Sequence, residues 1–96
     1  MAPSQTNFAT ISQEMVTRVG TAAGRVAQIQ QDYAIKAEAE TADDALEALA
    51  NKARAAAERA IHEQGISVQD YNTVLTAAET NQDLERRLVA AAREVL

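Results

Sequence analysis

The chain has no cysteine and no tryptophan in its 96 residues, and aromatic residues are rare. Without cysteine, disulfide bonds, thiolate metal sites and cysteine nucleophiles are all excluded. The aromatic residues are Phe8, Tyr33 and Tyr71, and alanine dominates the hydrophobic fraction. A core built mainly of alanine contains few large apolar side chains, and each of these contributes only about 1.5–3 kcal/mol when fully buried. We therefore expect a monomer of modest stability, and self-association stays open.

The chain also lacks any long apolar run and any excess of positive charge. No stretch approaches the roughly 20 apolar residues of a transmembrane helix, and no charged segment leading into an apolar one opens the sequence. The net charge is −5, with 9 basic residues scattered among 14 acidic ones. Since binding to phosphates requires a local excess of Lys and Arg, we expect neither a nucleic-acid partner nor attachment to an anionic membrane surface. The lack of a long apolar run predicts no membrane insertion.

Proline is confined to Pro3, and a helical periodicity begins soon after it. We predict a frayed N-terminus at residues 1–6 and helix 1 at residues 7–40. Apolar residues recur there at steps of three and four, which mark one face of a helix. They are Phe8, Ile11, Met15, Val19, Ala22, Val26, Ile29 and Tyr33.

Two of the three glycines, Gly20 and Gly24, interrupt helix 1 at a G-x-x-x-G spacing. Each costs about 1 kcal/mol of helix propensity relative to alanine. The spacing is typical of closely packed helix pairs in membranes, but Arg18 and Arg25 flank it, which argues against a membrane setting here. Two interpretations stay open: a close approach of a second helix, or a weak point in a long helix.

The stretch Thr41-Ala42-Asp43-Asp44 predicts the next turn. Thr41 is spaced to cap a helix with Asp44 three residues later, and two acidic residues in the first turn suit the helix dipole. We predict helix 2 at residues 42–64, packed antiparallel on helix 1 through alanine-rich faces. Since neither proline nor glycine lies in this stretch, one continuous helix is the competing prediction.

A sharp corner is predicted at residues 65–72. Gly65 can end helix 2 because it reaches the left-handed conformation without a Cβ clash. Ser67 is expected to cap the next helix, with the Asp70 carboxylate bonding back to the Ser67 N–H. Ile66 and Tyr71 have the spacing of a hydrophobic staple, which would fix the direction of the chain after the corner.

The C-terminal part is predicted to form helix 3 at residues 68–79 and helix 4 at residues 82–95, with Thr80 and Asp83 repeating the capping spacing between them. Helix 2 is too short to cover the N-terminal third of helix 1. The expected fold is therefore all-α and a single domain over residues 1–96: a long antiparallel helical hairpin with two shorter C-terminal helices packed on its open end.

Residues able to carry chemistry are few, and we predict no catalytic, cofactor-binding or metal-binding residue. His62 is the single histidine, and Glu58 and Glu63 beside it are typical of a surface position. Nothing desolvates carboxylate pairs such as Glu40 and Asp44, so a solvated face is expected. A basic spot on helix 4 should serve the helix dipole and neighbouring acids; it comprises Arg86, Arg87 and Arg93.

Three segments resemble a known family. The corner at residues 65–72, followed by the stretch at residues 81–88 with the sequence NQDLERRL, is similar to the C-terminal signature of domain of unknown function family 4168. The stretch at residues 26–33, VAQIQQDY, resembles the first-helix motif of that family. The resemblance covers about residues 8–90. A proline that members often carry before the last helix is replaced here by Gln82 or Asp83.

The resemblance implies a small bacterial helical protein, and members typically carry an N-terminal export signal. A periplasmic or cell-surface location is therefore the expectation. The sequence given opens with Met1-Ala2-Pro3, without such a signal, which fits a mature chain with an added methionine as well as a cytoplasmic relative. The resemblance brings no activity and no site residues.

For function, the sequence favours a non-enzymatic helical module that binds a protein partner or itself, with no cofactor. The thin alanine-rich core and the long amphipathic helix 1 support this hypothesis. The alternative is a small-ligand-binding or envelope stress-related carrier protein, or an enzyme, that acts between the helices near Tyr71 and His62.

Overall fold

A computed structural model describes residues 11–96 of the chain, and this part contains four α-helices and no strand. We number them α1 (Gln13–Glu38), α2 (Asp43–Glu63), α3 (Val68–Ala78) and α4 (Gln82–Arg93). The all-α prediction is confirmed. The segment predicted at residues 1–6, and Phe8, lie outside the described residues.

Helix α1 begins at Gln13 because Ser12 caps it, within the range that was predicted to be helical. The Ser12 hydroxyl accepts a hydrogen bond from the Met15 backbone N–H at 3.0 Å, and residues 11 and 12 are not helical. At the other end the Ala39 N–H bonds to the Lys36 carbonyl at 3.2 Å, a tighter turn that ends the helix at Glu38. Residues 11, 12, 39 and 40 of the predicted range 7–40 are therefore not helical, while residues 7–10 lie outside the described residues.

The chain reverses between Glu38 and Asp43, so the single continuous helix is wrong and the hairpin is confirmed. The two helices are antiparallel, since Arg18 near the start of α1 lies beside the end of α2. There the Arg18 guanidinium donates to the Gln64 carbonyl at 2.9 Å. This bond satisfies one of the free carbonyls that every helix leaves at its C-terminus.

The predicted cap of α2 is wrong by one residue. Ala42, not Thr41, occupies the capping position, and Ala42 has no side chain that could accept a hydrogen bond. The Glu40 carboxylate accepts instead from the backbone N–H groups of Thr41 and Ala42, at 3.2 and 3.3 Å. The helix itself, Asp43–Glu63, is one residue shorter at each end than the predicted range of residues 42–64.

The corner forms as predicted, with one bond missing. Gly65 has a φ of 79°, and the Ser67 hydroxyl accepts from the Asp70 N–H at 3.0 Å. No return bond from the Ser67 N–H to the Asp70 carboxylate is present in the part of the chain that the structure describes. Ile66 and Tyr71, the predicted staple, are both buried in the same cluster.

The cap of the last helix is Asn81, not Thr80. The Asn81 side chain accepts from the Leu84 N–H at 3.1 Å, while the Thr80 hydroxyl donates backwards to the Ala77 carbonyl at 3.4 Å. The last two helices end at residues 78 and 93, earlier than the predicted residues 79 and 95. In both cases the next N–H groups bond to carbonyls three residues back, which tightens the turn.

The two helical glycines mark a close approach of α4, which decides between the two interpretations of their spacing. A Cβ atom placed on Gly20 would lie 2.8 Å from the Leu88 carbonyl oxygen, and one on Gly24 would lie 2.7 Å from the Ala92 carbonyl oxygen. The first would also overlap the Ala91 side chain of α4, and the second would overlap the Val95 side chain just beyond the end of α4. Backbone therefore packs on backbone here, and any larger residue would push the two helices apart.

The fourth helix runs parallel to α1 and stops beside its middle. At one end the Arg87 guanidinium donates to the Gln13 side-chain oxygen at 2.8 Å. At the other end the Gln28 amide donates to the Val95 carbonyl at 2.7 Å. These contacts show that the C-terminal segment packs along α1 from Gln13 as far as Gln28.

The core lies at the open end of the hairpin, where α3 and α4 join it, as predicted. Val16, Val19 and Ala22 of α1 are completely buried there. Residues from every other helix and from the corner surround them: Ile61, Ile66, Tyr71, Val74, Ala77, Ala78, Leu84 and Leu88.

Replacing Gly20 by alanine tests the close approach. Helix propensity alone would stabilise the variant by about 1 kcal/mol, whereas overpacking costs about 1–3 kcal/mol. Because the new Cβ meets the Leu88 carbonyl, we expect a net loss in the free energy of unfolding, measured by urea denaturation. Adding Ala91→Gly, which removes one overlapping side chain, should recover part of the loss in a double-mutant cycle. A more stable Gly20→Ala protein would contradict the close packing.

Replacing Gly65 by valine tests the corner. A β-branched residue is strained at positive φ, so we expect the free energy of unfolding to fall by about 1–3 kcal/mol. The control is Gly65→Asn, which tolerates this conformation and should lose less. Its Cβ meets only the end of the flexible Arg18 side chain. Equal melting temperatures for Gly65→Val and the unaltered protein would show that the corner is wrongly placed.

Candidate functional site

The half of the hairpin away from the core has no buried residue. We call residues 25–59 the distal hairpin; it runs from Arg25 in α1 through the turn to Arg59 in α2. Every residue in it is at least partly exposed, while Gly24 and Ala60, just outside it, are buried. The boundary coincides with the end of α4 beside Gln28.

Apolar residues nevertheless line the contact between the two helices of the distal hairpin. Two helices alone can cover only the strip where they touch, so these side chains stay half-buried. Ile35 is left 62% exposed. The half-buried members with larger side chains are Val26, Ile29, Tyr33, Leu46 and Leu49.

One side of this contact forms a groove of about 430 Å³. All of the residues that line it belong to α1 or α2. Its floor is apolar and consists of Ile29, Tyr33, Leu49, Ala53, Ala56 and Ala60. Its rim consists of exposed charged and amide side chains.

The rim carries an excess of positive charge, although the chain as a whole is acidic. Four cations and two carboxylates line it: Arg25, Lys36, Lys52, Arg59, Asp32 and Glu63. One pair is formed, between Lys36 and Asp32 at 3.0 Å. Arg25, Lys52 and Arg59 form no ion pair with any residue in the range 11–96. Both sides of the groove are therefore positively charged, through Arg25 and Lys36 of α1 on one side and Lys52 and Arg59 of α2 on the other.

This cluster was not predicted, because the basic residues are scattered along the sequence. Arg25 and Lys36 are three helical turns apart, and Lys52 and Arg59 are two turns apart, so each pair shares one helix face. The periodicity of charge on each helix could have found the two pairs. Their meeting at one groove depends on the register of the hairpin, which the spacing alone does not give.

The residues that were considered for a ligand lie outside the groove. Tyr71 is buried in the core, His62 is exposed, and neither lines the groove. The Glu40 carboxylate is engaged by backbone N–H groups at the turn. Arg86 and Arg87 each lie 3.7 Å from the Asp83 carboxylate, which agrees with the expected pairing to neighbouring acids.

A smaller cavity of about 260 Å³ lies between α3 and α4 and has the opposite charge. Its charged lining residues are Glu79 and Glu85, and Val89 beside them is 41% exposed. Among residues 11–96, no group of three or more His, Asp or Glu side chains is placed to hold a metal ion. No helix in this range is both long and apolar enough to cross a bilayer.

Comparison with known proteins gives one match. A family described as Domain of unknown function (DUF4168) matches residues 4–88 of the chain. This is the family that the motifs at residues 26–33 and 65–88 indicated. No curated protein and no solved structure matches the chain.

The buried phenol of Tyr71 predicts a dependence of stability on alkaline pH. Burial raises the pKa of Tyr71 above its ordinary value of 10.0. As the pH rises, the Tyr71 phenol therefore loses its proton in the unfolded chain before it does so in the folded chain. The stability that the buried, protonated phenol contributes is fully present below about pH 10 and is lost as the pH rises above it. We expect the free energy of unfolding to fall there by up to about 1.4 kcal/mol per pH unit.

Tyr71→Phe should remove this part of the pH dependence in urea denaturation measured across alkaline pH. Tyr33→Phe is the matched control, because it removes the other tyrosine, which lies in the groove, and should leave the fall in place. If Tyr71→Phe and Tyr33→Phe follow the same pH profile, Tyr71 is not buried as described.

Proposed function

The chain belongs to the DUF4168 family, and we propose that it is a non-enzymatic helical protein-interaction or self-associating module whose contact surface is the distal hairpin. One observation carries this proposal: no residue between Arg25 and Arg59 is buried. An amphipathic helix is stable when its apolar strip is covered, and here the cover ends with α4 beside Gln28. The surface of another protein molecule would cover the rest of this apolar strip.

The shape of the groove favours a protein segment as the occupant. Its lining residues in α2 run from Leu49 to Glu63, so at about 1.5 Å per residue the groove is about 20 Å long. Sites for small molecules usually enclose most of the ligand surface, whereas this groove is bounded by exposed side chains. An open apolar trough between two helices suits a third helix laid along it.

A second candidate function is a small-ligand-binding or envelope stress-related carrier. The volume of about 430 Å³ is within the range of small-molecule sites, and Tyr33 among the lining residues adds a hydroxyl group. The ligand would be an anionic amphiphile rather than a molecule held by Tyr71 and His62. Native mass spectrometry of the purified protein, with Tyr33→Ala as the comparison, would detect such a ligand.

We also propose a periplasmic or cell-surface location in a bacterium, for which the support is the family resemblance.

Photo-crosslinking tests the interaction module. A benzophenone amino acid is placed at Ile35 or Lys52 in the distal hairpin, and at Thr76, an exposed residue of α3, as the control. In cells that make the protein, we expect defined protein adducts from Ile35 and Lys52 and none from Thr76. Adducts from all three sites alike, or from none, would contradict the proposal.

Light scattering over a concentration series separates the two forms of the module. A mass that rises with concentration indicates self-association, and a constant monomer mass together with heterologous adducts indicates a separate partner.

A further inference from the structure

We propose that the groove between α1 and α2 binds an acidic amphipathic helix of a partner protein. This inference rests on the proposed function and narrows it, because it names the chemistry of the partner. The observations that carry it are the apolar floor, the length of the groove and the unpaired cations on both of its sides.

The floor defines the face that the partner must present. Ile29 and Tyr33 from α1 and Leu49 from α2 are half-buried, and small alanines between them leave room for a close approach. A groove about 20 Å long accommodates roughly 14 helical residues, or four turns. Such a helix would place apolar residues at positions i, i+3, i+4 and i+7 along the floor.

The rim defines the charge on both flanks of that helix. Arg25 stands on the α1 side, and Lys52 and Arg59 stand on the α2 side, none of them paired with another residue that the structure describes. Glu or Asp on each flank of the apolar strip would therefore meet a cation. Charge complementarity of this kind selects the partner and speeds its association more than it adds affinity.

A second copy of this chain is a poorer occupant of the groove. Symmetric pairing brings the same surface of two molecules together, so the two cation-rich rims would face each other. Like charges that face each other across an interface are unfavourable. The cavity beside Glu79 and Glu85 is no competing site for an acidic helix, because its own charges are negative.

The test uses two synthetic peptides of about 18 residues, long enough to be helical in part. Both carry the same Leu and Ala strip; one has Glu on both flanks and the other has Lys. Binding to the full chain is measured by fluorescence anisotropy of the labelled peptide. We expect the Glu peptide to bind and the Lys peptide to bind at least about tenfold more weakly.

Charge reversal in the protein locates the site. The double variant Lys52→Glu with Arg59→Glu should weaken the Glu peptide by about tenfold or more, and Lys52→Gln with Arg59→Gln should weaken it less. The matched control is Arg54→Glu with Arg86→Glu, which makes the same change of charge at exposed residues outside the groove and should leave affinity within about twofold. Circular dichroism verifies that each variant is folded.

The outcomes separate this inference from the proposed function. If both peptides bind equally, or if the groove and control variants lose the same affinity, the proposal of an acidic helical partner is overturned. The proposal of an interaction module is not affected by either result. Binding of neither peptide also overturns it, while the crosslinking experiment decides the module independently. Self-association that the Lys52→Glu, Arg59→Glu variant abolishes would show that a second copy fills the groove and would overturn the inference.

Discussion

The packing of α4 on the glycine face of α1 is the contact on which the rest of the structure depends. Because Gly20 and Gly24 carry no Cβ, the carbonyls of Leu88 and Ala92 can lie directly against α1. In this arrangement the apolar face of α4 lies in the same cluster as Val16 and Val19. Helix α3 connects the corner to α4 and contributes its own buried face to that cluster. The gain in burial has to exceed the helix propensity that two glycines give up, about 2 kcal/mol in all.

The same contact also decides where the core ends. The last bond between α1 and the C-terminal segment joins Gln28 to Val95, just past the end of α4, and beyond it, among the residues that the structure describes, α1 is paired with α2. A two-helix layer covers one strip on each helix, so Tyr33 and Leu49 remain half-buried although they continue the same apolar periodicity. The candidate site is thus a consequence of architecture: it is the part of the hairpin that the C-terminal helices do not reach.

The sequence predicted the helices well because apolar periodicity is a local property, and it predicted their ends less well. Thr41 and Thr80 had the correct spacing for caps, but Ala42 occupies the capping position of α2 without a side-chain acceptor, and Asn81 supplies the acceptor for α4. The cap at Ser12 was not predicted, because the apolar periodicity continues from Ile11 to Met15 across it. The role of Gly20 and Gly24 and the cations of the groove depend on which surfaces meet, and that information is not contained in spacing along one helix.

The absence of buried residues between Arg25 and Arg59 also has a consequence for motion. Amide groups exchange with solvent through local opening, and opening is cheapest where few apolar contacts are broken. We therefore expect the tip of the hairpin to open and close locally while Val16, Val19 and Leu84 remain packed in the core. The molecule therefore combines a tightly packed base with a loosely packed arm, and we expect amide exchange to be faster in the arm than in the base.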